Sequence, residues 1–141
     1  MIQRIQTIYL ALGAIALVAL LFMEVLWSGA AATTQGWFTP VVVGLGGLTA
    51  AMAAGAIFLF KDQPKQRKVI ILTQLITVAL MVVLFGGLYL ADALYVRTTE
   101  GVDVTMLITL LLPLIAYLVF LLARPAVTKD IELVRSVDRL R

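Results

Sequence analysis

The charged residues of this chain lie at or beyond the ends of long apolar runs, and this limits the chemistry they could do. There is no cysteine and no histidine. That excludes disulfides, thiolate or imidazole metal sites, histidine ligation of haem and the common nucleophile–base pairings. Asp, Glu, Lys and Tyr remain. The acids Glu24, Asp92, Glu100 and Asp103 fall at the outer ends of the runs, away from the midplane depth where proton relays and ion sites are found. No catalytic constellation results, so neither an enzyme nor a metal or cofactor site is expected. The spacing does offer charge pairing and docking. Lys61, Lys65, Arg67 and Lys68 set four cations between two apolar runs, and Arg135, Asp138, Arg139 and Arg141 charge the tail. Glu24 and Asp92 are candidates to pair with Arg97 at the opposite rim.

These groups must be positioned by membrane helices. Of the 141 residues, 62% are hydrophobic and only 13% are charged, against about a quarter charged in soluble domains. About 20 apolar residues cross a hydrocarbon core. Four runs meet that length, at about 5–27, 41–60, 69–91 and 105–123. The first is too long for a signal-peptide core of roughly 7 to 15 residues, so a retained span is expected. Trp27 and Trp37 flank a small-residue connector, as residues of headgroup depth do.

Ten of the eleven Lys and Arg residues occur at Arg4, in the turn at 61–68 and in the tail from Arg124 onward. With four crossings these places share one side, which the positive-inside rule makes the cytoplasm. The fold expected is therefore all-α: an integral membrane four-helix bundle, up-down-up-down, with both termini cytoplasmic. Residues 1–124 form the bundle, and 125–141 a short amphipathic cytoplasmic helix.

Within the second run Gly47, Ala51 and Gly55 recur at i, i+4, i+8, with Gly46, Ala50 and Ala54 as a parallel row. Such rows let another backbone approach, within the chain or in a homo-oligomer. Gln3, Gln6 and Thr7 match Thr73, Gln74 and Thr77 in depth, which predicts a polar belt of interhelical hydrogen bonds. Pro113 frees the carbonyl of Thr109 and predicts local loosening. Arg124-Pro125 predicts a helix end, with Thr128 as the next N-cap, acids in the first turn and cations in the last. Glu132, Arg135, Asp138 and Arg141 stand three apart, as ion pairs would. Ile131, Leu133, Val134, Val137 and Leu140 give that helix an apolar stripe.

The opening Met1-Ile-Gln-Arg-Ile-Gln6 and the closing Lys129-Asp-Ile-Glu-Leu-Val-Arg-Ser-Val-Asp-Arg-Leu-Arg141 resemble the two ends of domain-of-unknown-function family forty-two ninety-three, small four-helix inner-membrane proteins of Bacteroidota. Leu133, Val134, Arg135, Ser136, Asp138, Arg139 and Arg141 match its tail motif, whereas Ile131 and Glu132 depart from its Lys-Asp-Glu opening. The resemblance implies the topology and a bacterial cytoplasmic membrane, and that both ends matter.

A marginal helix of about 13 residues needs a surface to lie on. The expected function is a non-enzymatic membrane anchor or accessory subunit. Its docking face comprises Arg4, Lys65, Arg67, Lys68, Leu133, Val134, Arg135, Val137, Asp138, Arg139 and Arg141, and its partners are membrane lipids and a cytoplasmic or membrane protein. Nucleic acid is not expected, because acids interleave the cations and no aromatic offers stacking. A small oligomeric transporter or channel-like component is the alternative.

Overall fold

Helix α1 (Ile2–Leu21) begins the described residues, 2–139, of the computed structural model. It stops six residues short of the first apolar run's end. Phe22 and Met23 donate backbone hydrogen bonds to the Ala19 and Leu20 carbonyls, a 3₁₀ turn spans Glu24–Leu26, and helix α2 (Ala30–Thr34) follows. The indole Nε1–H of Trp27 donates to the Leu21 carbonyl at 2.8 Å, satisfying a C-terminal acceptor that the helix leaves open. The first run is thus bent, by 57° between Ile5–Leu21 and Glu24–Thr34. It counts as a span only when both pieces are taken together.

Helices α3 (Phe38–Phe58) and α4 (Gln63–Leu90) are each long and apolar enough to cross a membrane, and so is Val104–Pro125 of helix α5 (Val104–Arg139). A two-residue antiparallel ribbon, β1 (Arg97–Thr98) with β2 (Gly101–Val102), fills the connector between α4 and α5. Asp92 enters that connector in the left-handed region, φ 52°, which a short polar side chain tolerates.

The four long helices close into a ring: α1 packs on α3 and α5, and α4 packs on the same two. The seam has a heptad-like period. On α5 the inward residues are Met106, Thr109, Pro113, Ala116, Phe120 and Ala123, at alternating steps of three and four. On α4 the row Leu80, Leu84 and Leu88 is fully buried. Ile8, Leu12 and Ile15 of α1 and Leu75 and Val82 of α4 point outward instead. That apolar exterior suits lipid.

Small residues do set the approach of α3, but through Gly46 and Ala50 of the parallel row, whose third member Ala54 is half-buried, together with Ala53. Gly46, Ala50 and Ala53 are buried, and a Cβ at Gly46 would come within 2.9 Å of the Leu21 side chain. Gly47 and Gly55 have open space where a Cβ would stand, and Ala51 is exposed. Of the two alternatives for Gly47, Ala51 and Gly55, packing within the chain is therefore corrected, and the homo-oligomer alternative is untouched by this. The two rows lie one residue, about 100°, apart on the helix, and only one of them can face the bundle.

The polar belt is buried but bonds differently from expectation. Thr73 and Thr77 donate to the Val69 and Thr73 carbonyls, both at 2.8 Å, because a helical threonine reaches its own i−4 acceptor. Gln66 carries an interhelical bond, Nε2–H to the Ala56 carbonyl at 3.0 Å. Gln3 lies outside the described side chains. Gln6 and Gln74 are 3% and 5% exposed, and each has an amide nitrogen with no hydrogen-bond partner. A buried unsatisfied donor costs about 1 to 3 kcal/mol, and an apolar group of the same shape removes that cost. Gln74→Met is accordingly expected to raise the melting temperature in detergent, by about 1 kcal/mol of stability. A lower melting temperature would show that the amide is satisfied in the folded protein.

Candidate functional site

The basic turn is mostly helix. Asp62 accepts the Lys65 backbone N–H at 3.4 Å as N-cap, and Pro64 stands in the first turn, where its missing N–H costs nothing. Helix α4 therefore starts at Gln63, six residues earlier than its apolar run, and carries Lys65, Arg67 and Lys68 on its first two turns. Lys65 also pairs through Nζ with Asp62 Oδ2 at 2.7 Å, and that hydrogen bond holds the Asp62 carboxyl below the usual carboxylate range. The cap is charged above that lowered pKa and is lost as pH falls through it. Arg67 and Lys68 turn elsewhere.

They face α5, which does not end at Arg124. It runs unbroken through Pro113 and Pro125 to Arg139. Pro125 removes one backbone donor, but Thr128 is no N-cap. Its hydroxyl donates back to the Arg124 carbonyl at 3.1 Å inside the continuous helix. The tail is thus an extension of the fourth long helix, and it leans on the start of α4. Between them lies a groove of about 350 Å³. One wall is Pro64, Arg67, Lys68 and Ile71; the other is Thr128, Ile131, Glu132 and Arg135. Ile131 is half-buried against the core, so the extension is seated rather than free.

The sequence-predicted site divides accordingly. Arg67, Lys68 and Arg135 meet in the groove; Lys65 is engaged with Asp62 outside it. Leu133, Val134 and Val137 are exposed by 54%, 55% and 63%, so little of this apolar stripe is covered by the chain itself. Asp138 and Arg139 are exposed beside them. Arg4 and Arg141 lie outside the described side chains. Of the i, i+3 pairs expected along the tail, Glu132–Arg135 and Arg135–Asp138 are not closed, and Asp138–Arg141 lies outside the described residues; Lys65–Asp62 is an ion pair formed instead at the start of α4. Long side chains on an exposed helix gain too little from such pairs to hold one geometry.

At the opposite end the expected cluster of Glu24, Asp92 and Arg97 does not form. Asp92 accepts the Tyr95 hydroxyl at 2.8 Å, which pushes that phenol's pKa up, and Glu24 accepts the Ser28 hydroxyl at 3.3 Å. Local partners three and four residues away capture both carboxylates. What sequence reasoning missed was Pro64, Ile71, Thr128, Ile131 and Glu132 as lining of the groove. The Asp62-x-Pro64 start signal was present, and reading it as an N-cap would have put Arg67 and Lys68 on a helix.

A family model described as Domain of unknown function (DUF4293) matches residues 2–140. No curated protein and no solved structure matches the chain.

Proposed function

We propose, for a chain that belongs to this DUF4293 family, the role of a non-enzymatic anchor or accessory subunit in a bacterial cytoplasmic membrane. The bundle crosses four times, the bent first run included, with both termini cytoplasmic. The charge asymmetry supports that orientation, because ten of eleven cations fall at the end that holds the groove and the tail. The tail docks a protein partner. One observation carries this reading: Leu133, Val134 and Val137 form an exposed apolar stripe on a helix that the bundle already holds in place. A pre-seated helix loses little entropy on docking, so its apolar face is available for binding. The second reading, an oligomeric transporter, is favoured by unpartnered buried polar atoms inside the bundle, the amide nitrogens of Gln6 and Gln74 and the Oε1 of Gln66.

In-cell photo-crosslinking from a photoreactive residue at Val137, with a second at lipid-facing Ile8 as reference, tests the docking role. One dominant protein partner at Val137, absent at Ile8, is the expected result. Crosslinks from Val137 that reach only lipid or the chain itself would overturn it.

A further inference from the structure

We propose that the groove between the first two turns of α4 and the α5 extension binds the phosphate headgroup of an anionic phospholipid. This rests on a different face of α5 from the docking stripe and does not depend on it. Three cations line the groove, Arg67, Lys68 and Arg135, and none has an ion-pair partner among the described residues. Three like charges brought together repel one another, and a bound anion relieves this. Glu132 is the one acid among the lining residues, so a surplus of two positive charges remains. Two of the cations are arginines, whose planar fork matches phosphate oxygens in pairs. A volume of about 350 Å³ falls within the range of small-molecule sites.

The same geometry selects a lipid over a free anion. Lys68 immediately precedes the apolar run of α4, at the depth where headgroups lie. From it the outward residues Ile71, Leu75 and Val78 continue at steps of three and four along one face of the helix. Leu75 is 63% and Val78 39% exposed. An acyl chain can lie along this stripe while its phosphate sits on the cations at the top. A soluble phosphate would gain nothing from it. Glu132 opposes the anion, so its removal tightens binding.

Native mass spectrometry of the full-length protein, with phosphatidylglycerol, phosphatidylcholine or inorganic phosphate added in detergent, tests the assignment. Phosphatidylglycerol is expected to be retained preferentially. Retention falls about fivefold for each of Arg67→Ala, Lys68→Ala and Arg135→Ala, from roughly 1 kcal/mol per interfacial cation. It rises in Glu132→Gln and is unchanged in Lys65→Ala, which removes an equal charge outside the groove. Melting temperatures near the wild type confirm that each variant is folded. Equal loss in Lys65→Ala would reduce the effect to general surface charge and overturn the site. Retention of phosphatidylcholine equal to that of phosphatidylglycerol, or competition by inorganic phosphate at equal concentration, would overturn the anionic or the lipid assignment respectively.

Discussion

Gly87→Ala is expected to destabilise the bundle, whereas Gly86→Ala, one residue earlier, is expected to be neutral or stabilising. A Cβ at Gly87 would land within the ring of Phe38, which is fully buried and cannot swing aside. A Cβ at Gly86 meets open space. Overpacking a tight core costs about 1 to 3 kcal/mol, while alanine is about 1 kcal/mol better than glycine within a helix. At Gly87 the clash outweighs the propensity, and at Gly86 only the propensity acts. Thermal unfolding in detergent reads both. Phe38→Leu combined with Gly87→Ala should recover part of the loss, since the two substitutions share one cavity. Equal melting temperatures for the two alanine variants would mean that α4 does not pack on Phe38 through Gly87. Gly13 is a parallel case on α1, where the added Cβ would enter the ring of buried Phe120.

Val134→Asp with Val137→Asp is expected to abolish capture of the partner while leaving the bundle folded. Both side chains are more than half exposed, so the free chain loses little packing. If the pair is covered in the complex, two apolar contacts worth about 1.5 kcal/mol or more each disappear, a drop of roughly a hundredfold or more in affinity. Ile131→Asp supplies the contrast, because Ile131 packs against the core and its replacement should lower the melting temperature itself. Partner capture by the double variant at wild-type level would remove the stripe from the interface. Loss of the double variant from the membrane would make the extension a structural foot.

Much of the architecture could be read from residue order. The runs that became α3, α4 and the first part of α5 were visible as such, and so was the polarity of their ends. Where the sequence reading failed, local detail was responsible. Proline is a poor guide to a helix end when the following residues can still bond back, as Thr128 does to Arg124. A turn rich in cations looks like a loop, although Asp62 and Pro64 start a helix within it. Trp27 seals the end of α1 six residues before hydropathy changes. The apolar tail stripe is divided by packing, for Ile131 turns to the core while Val134 and Val137 stay exposed.

The sequence by itself determined that the chain forms helices suited to a membrane and that its cations gather at one end. An apolar medium leaves no tolerance for unpaired backbone groups or stray charge, and that penalty is written in composition. It could not determine which face of each helix turns inward, because lipid and core are equally apolar and impose no contrast between them. Only the tertiary structure decided that Gly46 rather than Gly47 meets a neighbour, and that Phe38 fills the space left by Gly87. It also brought Arg67 and Lys68 beside Arg135, from opposite ends of a long sequence interval, into one groove. That meeting depends on α5 continuing past Pro125 far enough to lie along the first turns of α4, a matter of packing geometry.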